Sequence, residues 1–218
     1  MELEQTYVGV TPELVRYVEA AVLPRYDAFD AAHRRDHVQK VIEESLRMAS
    51  FYEVEYDMVF CIAAYHDIGL TEGREVHHLA SGRMLRNDTE LLQWFSVEQI
   101  ELMAQAAEDH RASSKREPRS IYGRIVAEAD RDIEPELIVR RTVQYGVSHY
   151  PQLEREEHWQ RMLEHLDEKY AEGGYLKLYI PESQNAEQLM LLRDLIRDRH
   201  RLRILFEQIY DELASGMV

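Results

Sequence analysis

The residues able to do chemistry gather at a few points along this chain. His66 and Asp67 stand side by side in "AAYHDIGL", closing a run that is nearly all apolar from Met58 to Tyr65. A carboxylate taken out of water costs several kcal/mol unless a positive group meets it. "AHRRDHVQKV" carries His33 and His37 four positions apart, which places them on one helix face. His37 shares the apolar side with Val38 and Val41. "EVHHLASGRML" offers His77 and His78, "AAEDHRAS" offers His110, and "AEADRDI" offers Asp130. Imidazoles and carboxylates together suit Mn, Fe, Co, Ni or Zn, and suit Mg less well because it prefers oxygen. Adjacent helical residues diverge by about 100°, so His66 and Asp67 reach one centre only if the backbone turns at the helix end. Asp67 has two oxygens and is able to bridge two ions. Singly, each group also reads as a core imidazole or a helix-end charge. As an ordered set at the ends of apolar helices they point to bound cations.

The elements that must position these groups read as helices throughout. No convincing alternating strand is found. Thr11 as N-cap and Pro12 at the first helical position open a helix that Pro24 ends. A second helix is expected from about Ala31 to Phe51, with Val38, Val41, Ile42, Leu46 and Ala49 as its apolar stripe. The third runs from Asp57 to about Asp67, and the fourth from His77 to Arg86. Ser96 and Gln99 make a capping-box pattern before the fifth, "VEQIELMAQAAEDH". "RASSKREPRS" reads as a loop, Ser120 caps a sixth helix and Pro135 opens a seventh. "PQLEREEHWQRMLEHLDEKY", a Gly173–Gly174 break and a last helix from about Asn185 to Leu213 complete the chain, with "YLKLYIP" as one short extended piece. The economical reading is one all-α domain over 1–218, its chemistry ending near Glu134 and the later helices packing on that core.

Composition narrows the function. The 218 residues are 45% hydrophobic and 31% charged, as in a soluble globular protein with a real core. No apolar run approaches the ~18 residues of a membrane span, and "MELEQTYVGV" lacks the pattern of a signal peptide. A single cysteine, Cys61, allows neither a disulfide framework nor a cysteine-based zinc site, and fits core packing and a cytoplasmic location. A formal charge of −15 repels nucleic-acid polymers and anionic membranes, which leaves a small ligand as the expected partner. Against that average, Arg111, Lys115, Arg116, Arg119 and Arg124 cluster in a stretch whose one acid is Glu117. No G-x-S-x-G or P-loop pattern is present.

The order His37, His66–Asp67, Asp130 resembles the HD-domain superfamily, named for the adjacent pair. "HVQKV" matches at His37, "HDIGL" at the pair and "ADR" at Asp130, so the likeness spans about Asp30 to Glu134. It implies a helical fold with a metal held by His37, His66, Asp67 and Asp130. One subset of that superfamily carries two further histidines and binds two ions bridged by the Asp. His77 and His110 fall where those would lie, and "HHLAS" is similar to the subset's His-x-x-x-Ser form, with His78 as the competing choice.

Such a site implies a metal-dependent phosphohydrolase. Two ions separated by ~3.5–4 Å hold a reactive hydroxide and clamp a phosphoryl oxygen. His33, one turn before His37, is the candidate acid for the leaving group, and Asp67 anchors the reacting centre. Glu108 and Asp109 would orient His110 or a water. Arg111, Lys115, Arg116 and Arg119 would bind phosphate, since guanidinium groups do so bidentately. The expected substrate is a small phosphorylated metabolite, nucleotides included. Two rivals stand beside it: a di-iron oxygenase with the same ligand types, and a non-catalytic metal-binding sensor or scaffold. The helices after Glu134 are left with two roles, covering the pocket or forming a homodimer surface.

Overall fold

The structure is a computed structural model that describes residues 7–29, 35–111 and 116–215. Among these residues it holds ten α-helices, three short 3₁₀ turns and no strand. The chain divides into two compact units, Met1–Arg131 with Tyr179–Ser183, and Asp132–Leu178 with Gln184–Val218. Each unit has an apolar core of its own.

In the first unit, α1 (Pro12–Ala21) is followed by α2 (Arg35–Ala49), α3 (Tyr56–Tyr65), α4 (His77–Asn87), α5 (Val97–Asp109) and α6 (Ile121–Ala129). The α3 sequence explains its place. Every residue from Met58 to Tyr65 is buried, and a helix that is apolar on all sides has to be surrounded. Helices α2, α5 and α6 pack around it, α1 and α4 touch it, and α4 lies along α5. Thr11 is the N-cap of α1, but its side chain caps nothing. Its hydroxyl and backbone N–H both donate to Asp57 at 2.7 Å, tying the start of α1 to the first turn of α3. The capping box at α5 forms as its sequence prescribes, with Gln99 N–H on the Ser96 hydroxyl and Ser96 N–H on Gln99 Oε1.

In the second unit lie α7 (Pro135–His149), α8 (Arg155–Lys169), α9 (Asn185–Arg197) and α10 (Arg199–Ala214). Here one expectation fails. The last helix, read as continuous from Asn185 to Leu213, breaks at Asp198. Asp198 leaves helical geometry (φ −82°, ψ 78°), and its carboxylate accepts from the N–H of Arg201 at 3.0 Å. An Asp that caps a new helix outcompetes the unbroken helical ladder. "YLKLYIP" is irregular rather than a strand, and its Tyr179 opens the segment that belongs to the first unit. No helix of the described residues is long and apolar enough to cross a membrane.

Candidate metal centre

Three of the expected ligands occupy the same kind of position. His66, His110 and Asp130 are the C-cap residues of α3, α5 and α6. A helix C-terminus carries partial negative charge from its unpaired carbonyls. Three such ends on helices that pack together make a potential suited to a cation. His37 joins from the first turns of α2, and His77 opens α4. Asp67 follows His66 in a backbone no longer α-helical (φ −110°, ψ 2°), the turn that lets neighbours on the chain face one centre.

Two groups of side chains result. His37, His66, Asp67 and Asp130 present ligand atoms all within 4.8 Å of one another, and so do Asp67, His77 and His110. Asp67 belongs to both and divides its oxygens between them. Its Oδ2 lies 3.4 Å from His66 Nε2 and 4.0 Å from His37 Nε2. Its Oδ1 lies 3.3 Å from the Nε2 atoms of both His77 and His110. Asp130 Oδ1 completes the first group at 3.2 Å from His37 Nε2 and 3.7 Å from His66 Nε2.

The backbone sets which nitrogen of each ring faces inward. The Nδ1 atoms of His66, His77 and His110 lie 2.7, 2.7 and 2.6 Å from the carbonyls of Ala63, Arg74 and Ala107, each three residues earlier. A carbonyl only accepts, so each Nδ1 bears the proton and each Nε2 offers a lone pair. His66 Nε2 is buried and has no hydrogen-bond partner. His77 Nε2 and His110 Nε2 stand 3.1 Å apart. Two lone pairs at that distance repel unless a cation or a proton lies with them. The donor set therefore fits a divalent transition ion, by softness and by orientation. Burial pushes the His66 pKa down, but the Asp67 and Asp130 carboxylates outweigh it and hold it well above the ordinary imidazole value. Burial likewise opposes ionisation of Asp67, yet His66 and His110 hold its carboxyl well below the usual range. These opposed shifts are those of an imidazole and carboxylates that face one another. His77 is shifted down, first by burial and then by His110.

Residues that the sequence reading passed over support the centre. The Tyr26 hydroxyl, fully buried, donates to Ala64 O at 2.9 Å and accepts from Asp67 N–H at 3.3 Å, fixing the turn of the His–Asp pair. Gly69 N–H donates to the buried Ser81 hydroxyl at 2.9 Å. A Cβ on Gly69 would lie 2.2 Å from His77 O, so only glycine permits this approach of the turn to α4. The His78 ring lies beside that of His77, with centroids 5.5 Å apart, and in neither ligand group. The basic residues divide. Arg111 donates to Glu75 O at 2.6 Å, Arg116 is exposed, and Arg119 is held by Asp109, Glu108 and Gln105 O. Glu108 also accepts from Arg86 at 2.5 Å. Glu108 and Asp109 therefore anchor the end of α5 by ion pairs. The proposed acid His33 and the phosphate-binding candidate Lys115 lie outside the described residues.

The described residues thus form an all-α fold with a His/Asp cluster at converging helix ends that could bind a metal. Residues 34–133 match the family model described as HD domain. The superfamily is of the metal-dependent phosphohydrolase type. No curated protein and no solved structure matches the chain.

Proposed function

We propose that this protein is a metal-dependent phosphohydrolase acting on a small phosphorylated metabolite, with two divalent ions held by His37, His66, Asp67, His77, His110 and Asp130. The observation that carries this reading is the division of the Asp67 carboxylate, Oδ2 toward one ligand group and Oδ1 toward the other. Bound there, such ions supply an acidified water and draw charge from a phosphoryl oxygen. The chain's own residues do the rest. The three backbone-held imidazoles keep their Nε2 lone pairs directed inward. Tyr26 and Gly69 hold the Asp67 turn in place. Arg111, Lys115 and Arg116 remain the candidates to bind substrate phosphate. Arg119 is assigned instead to the α5 end, where its donors meet Asp109 and Glu108. His33 is proposed to protonate the leaving oxygen.

The test is metal analysis of the purified full chain, then a phosphate-release screen of phosphorylated metabolites with Mn²⁺, Fe²⁺, Co²⁺, Ni²⁺ and Zn²⁺. Phosphate release that needs the ion but not O₂ is the expected result. Substrate-dependent O₂ uptake by an iron form would replace this reading with the oxygenase. Tight metal binding without turnover of any substrate class would leave a sensor or scaffold.

A further inference from the structure

One buried charge near the centre is used by none of the steps above. Glu128 lies on the last turn of α6, two residues before Asp130, with no solvent exposure. A buried carboxylate with no task is replaced at little cost by an apolar side chain, so its partners indicate what it does. Three of them are well defined. Oε1 accepts from the Ser183 hydroxyl at 2.7 Å. Oε2 accepts from Tyr179 N–H at 2.8 Å and from Arg131 at 3.1 Å. The Arg131 guanidinium in turn lies over the Tyr179 ring, 4.8 Å from its centroid. Two partners thus come from a segment about fifty residues later, and the third is the residue next to Asp130. The same segment is fixed at a second point, where Tyr52 donates to the Glu182 carboxylate at 2.7 Å.

We infer that Glu128 is a positioning residue for Asp130: it binds segment Tyr179–Ser183 across the end of α6, and this strap fixes the turn from which Asp130 reaches the metal. The geometry favours this over a purely stabilising role. Asp130 is a C-cap, held to the helix only through its own N–H, and the last turn of a helix frays unless something outside ties it down. Arg131 follows directly and is nine-tenths buried, so Glu128 and Tyr179 hold the chain on the far side of Asp130 as well. The ligand sits between two anchored neighbours. His66 and His110 need no such device, because their rings are fixed by carbonyls of their own helices. Asp130 is the C-cap ligand whose carboxylate lacks a backbone tether of that kind among the described contacts.

This inference rests on the metal-centre reading, and the experiment separates the two. Co²⁺ affinity and the visible d–d spectrum are measured for the full chain and for Glu128→Gln, Ser183→Ala and Val18→Ala. The last deletes core volume in α1 and controls for lost stability. Removing partners that orient a ligand typically costs about 10–100-fold in metal affinity. Glu128→Gln is expected to lose about that much and to change the spectrum. Ser183→Ala, which leaves the Arg131 pair intact and is the milder change if Glu128→Gln does not fold, is expected to lose several-fold. Val18→Ala should melt earlier with unchanged affinity and spectrum. Wild-type affinity and spectrum in a folded Glu128→Gln or in Ser183→Ala overturn the strap alone. A wild-type chain that binds no Co²⁺ overturns the metal centre and the strap with it.

Discussion

The two units bury their polar groups for different reasons. In the second, the buried polar side chains are Thr142 and His158, within a core of Trp159, Phe206, Leu202 and their neighbours. Thr142 meets Ile138 O in its own helix, and the charged residues stay outside in pairs such as Arg199–Asp167 and Arg140–Glu212. The first unit buries His66, Asp67, His110 and Glu128 around the most apolar helix of the chain. In the second unit His158 Nδ1 is buried without a hydrogen-bond partner, but none of the His/Asp groups that could hold a metal includes it. The first unit brings the Nε2 atoms of His77 and His110 to 3.1 Å and gathers His/Asp groups that could hold a metal ion around Asp67. Apolar content does not separate a structural region from a working one here. The direction in which buried polar atoms point does.

The comparison can be broken at several places. Asp67→Ala removes the one ligand common to both groups, so metal analysis should find the ions gone. The stabilisation expected of Mn²⁺ on the wild type, about 4 kcal/mol at a thousandfold excess over Kd, should vanish with them. Persistence of that stabilisation would mean the ions bind elsewhere. Phe206→Ala should cost about 3–5 kcal/mol in denaturant melts, as a buried aromatic does, while metal affinity holds. Weaker metal binding in that variant would end the distinction between the units. Gly69→Ala forces a methyl onto the backbone of His77 and Ser81, and should cost about 1–3 kcal/mol with reduced metal content, because the contact positions α4. Asp198→Ala removes the α10 cap and should cost about 1 kcal/mol, visible only as a small fall in the melting midpoint.

Much of the helical layout was legible in the chain itself. Thr11–Pro12, Ser96–Gln99 and Pro135 mark helix starts because capping chemistry is local, and α1, α5 and α7 begin at or beside them. The all-apolar stretch before His66 announced the central helix. His66, His110 and Asp130 stood out as candidates because each follows a run of apolar or small residues and ends a helix. The supporting groups could not. Tyr26 lies 41 residues from Asp67, and Ser183 lies 55 from Glu128, so neither pairing leaves a periodic trace. The α9–α10 break hid for another reason. Its sequence "RDRHR" is polar without glycine or proline, and the apolar spacing on either side continues a helical period. The ion pairs of Arg119, a candidate phosphate binder, left no trace either, because Glu108 and Asp109 come from the preceding helix.

The placement of Tyr179–Ser183 bears on how this protein can be taken apart. The chain leaves the first unit after Arg131 and crosses back into it much later, so no single cut yields that unit whole. A fragment ending near residue 134 would keep all six candidate ligands and the Arg131 pair of Glu128, and lose the Ser183 hydroxyl and Tyr179 amide that also meet that buried carboxylate. Shortened versions should therefore aggregate or misfold, whereas a nicked chain that retains both pieces should survive.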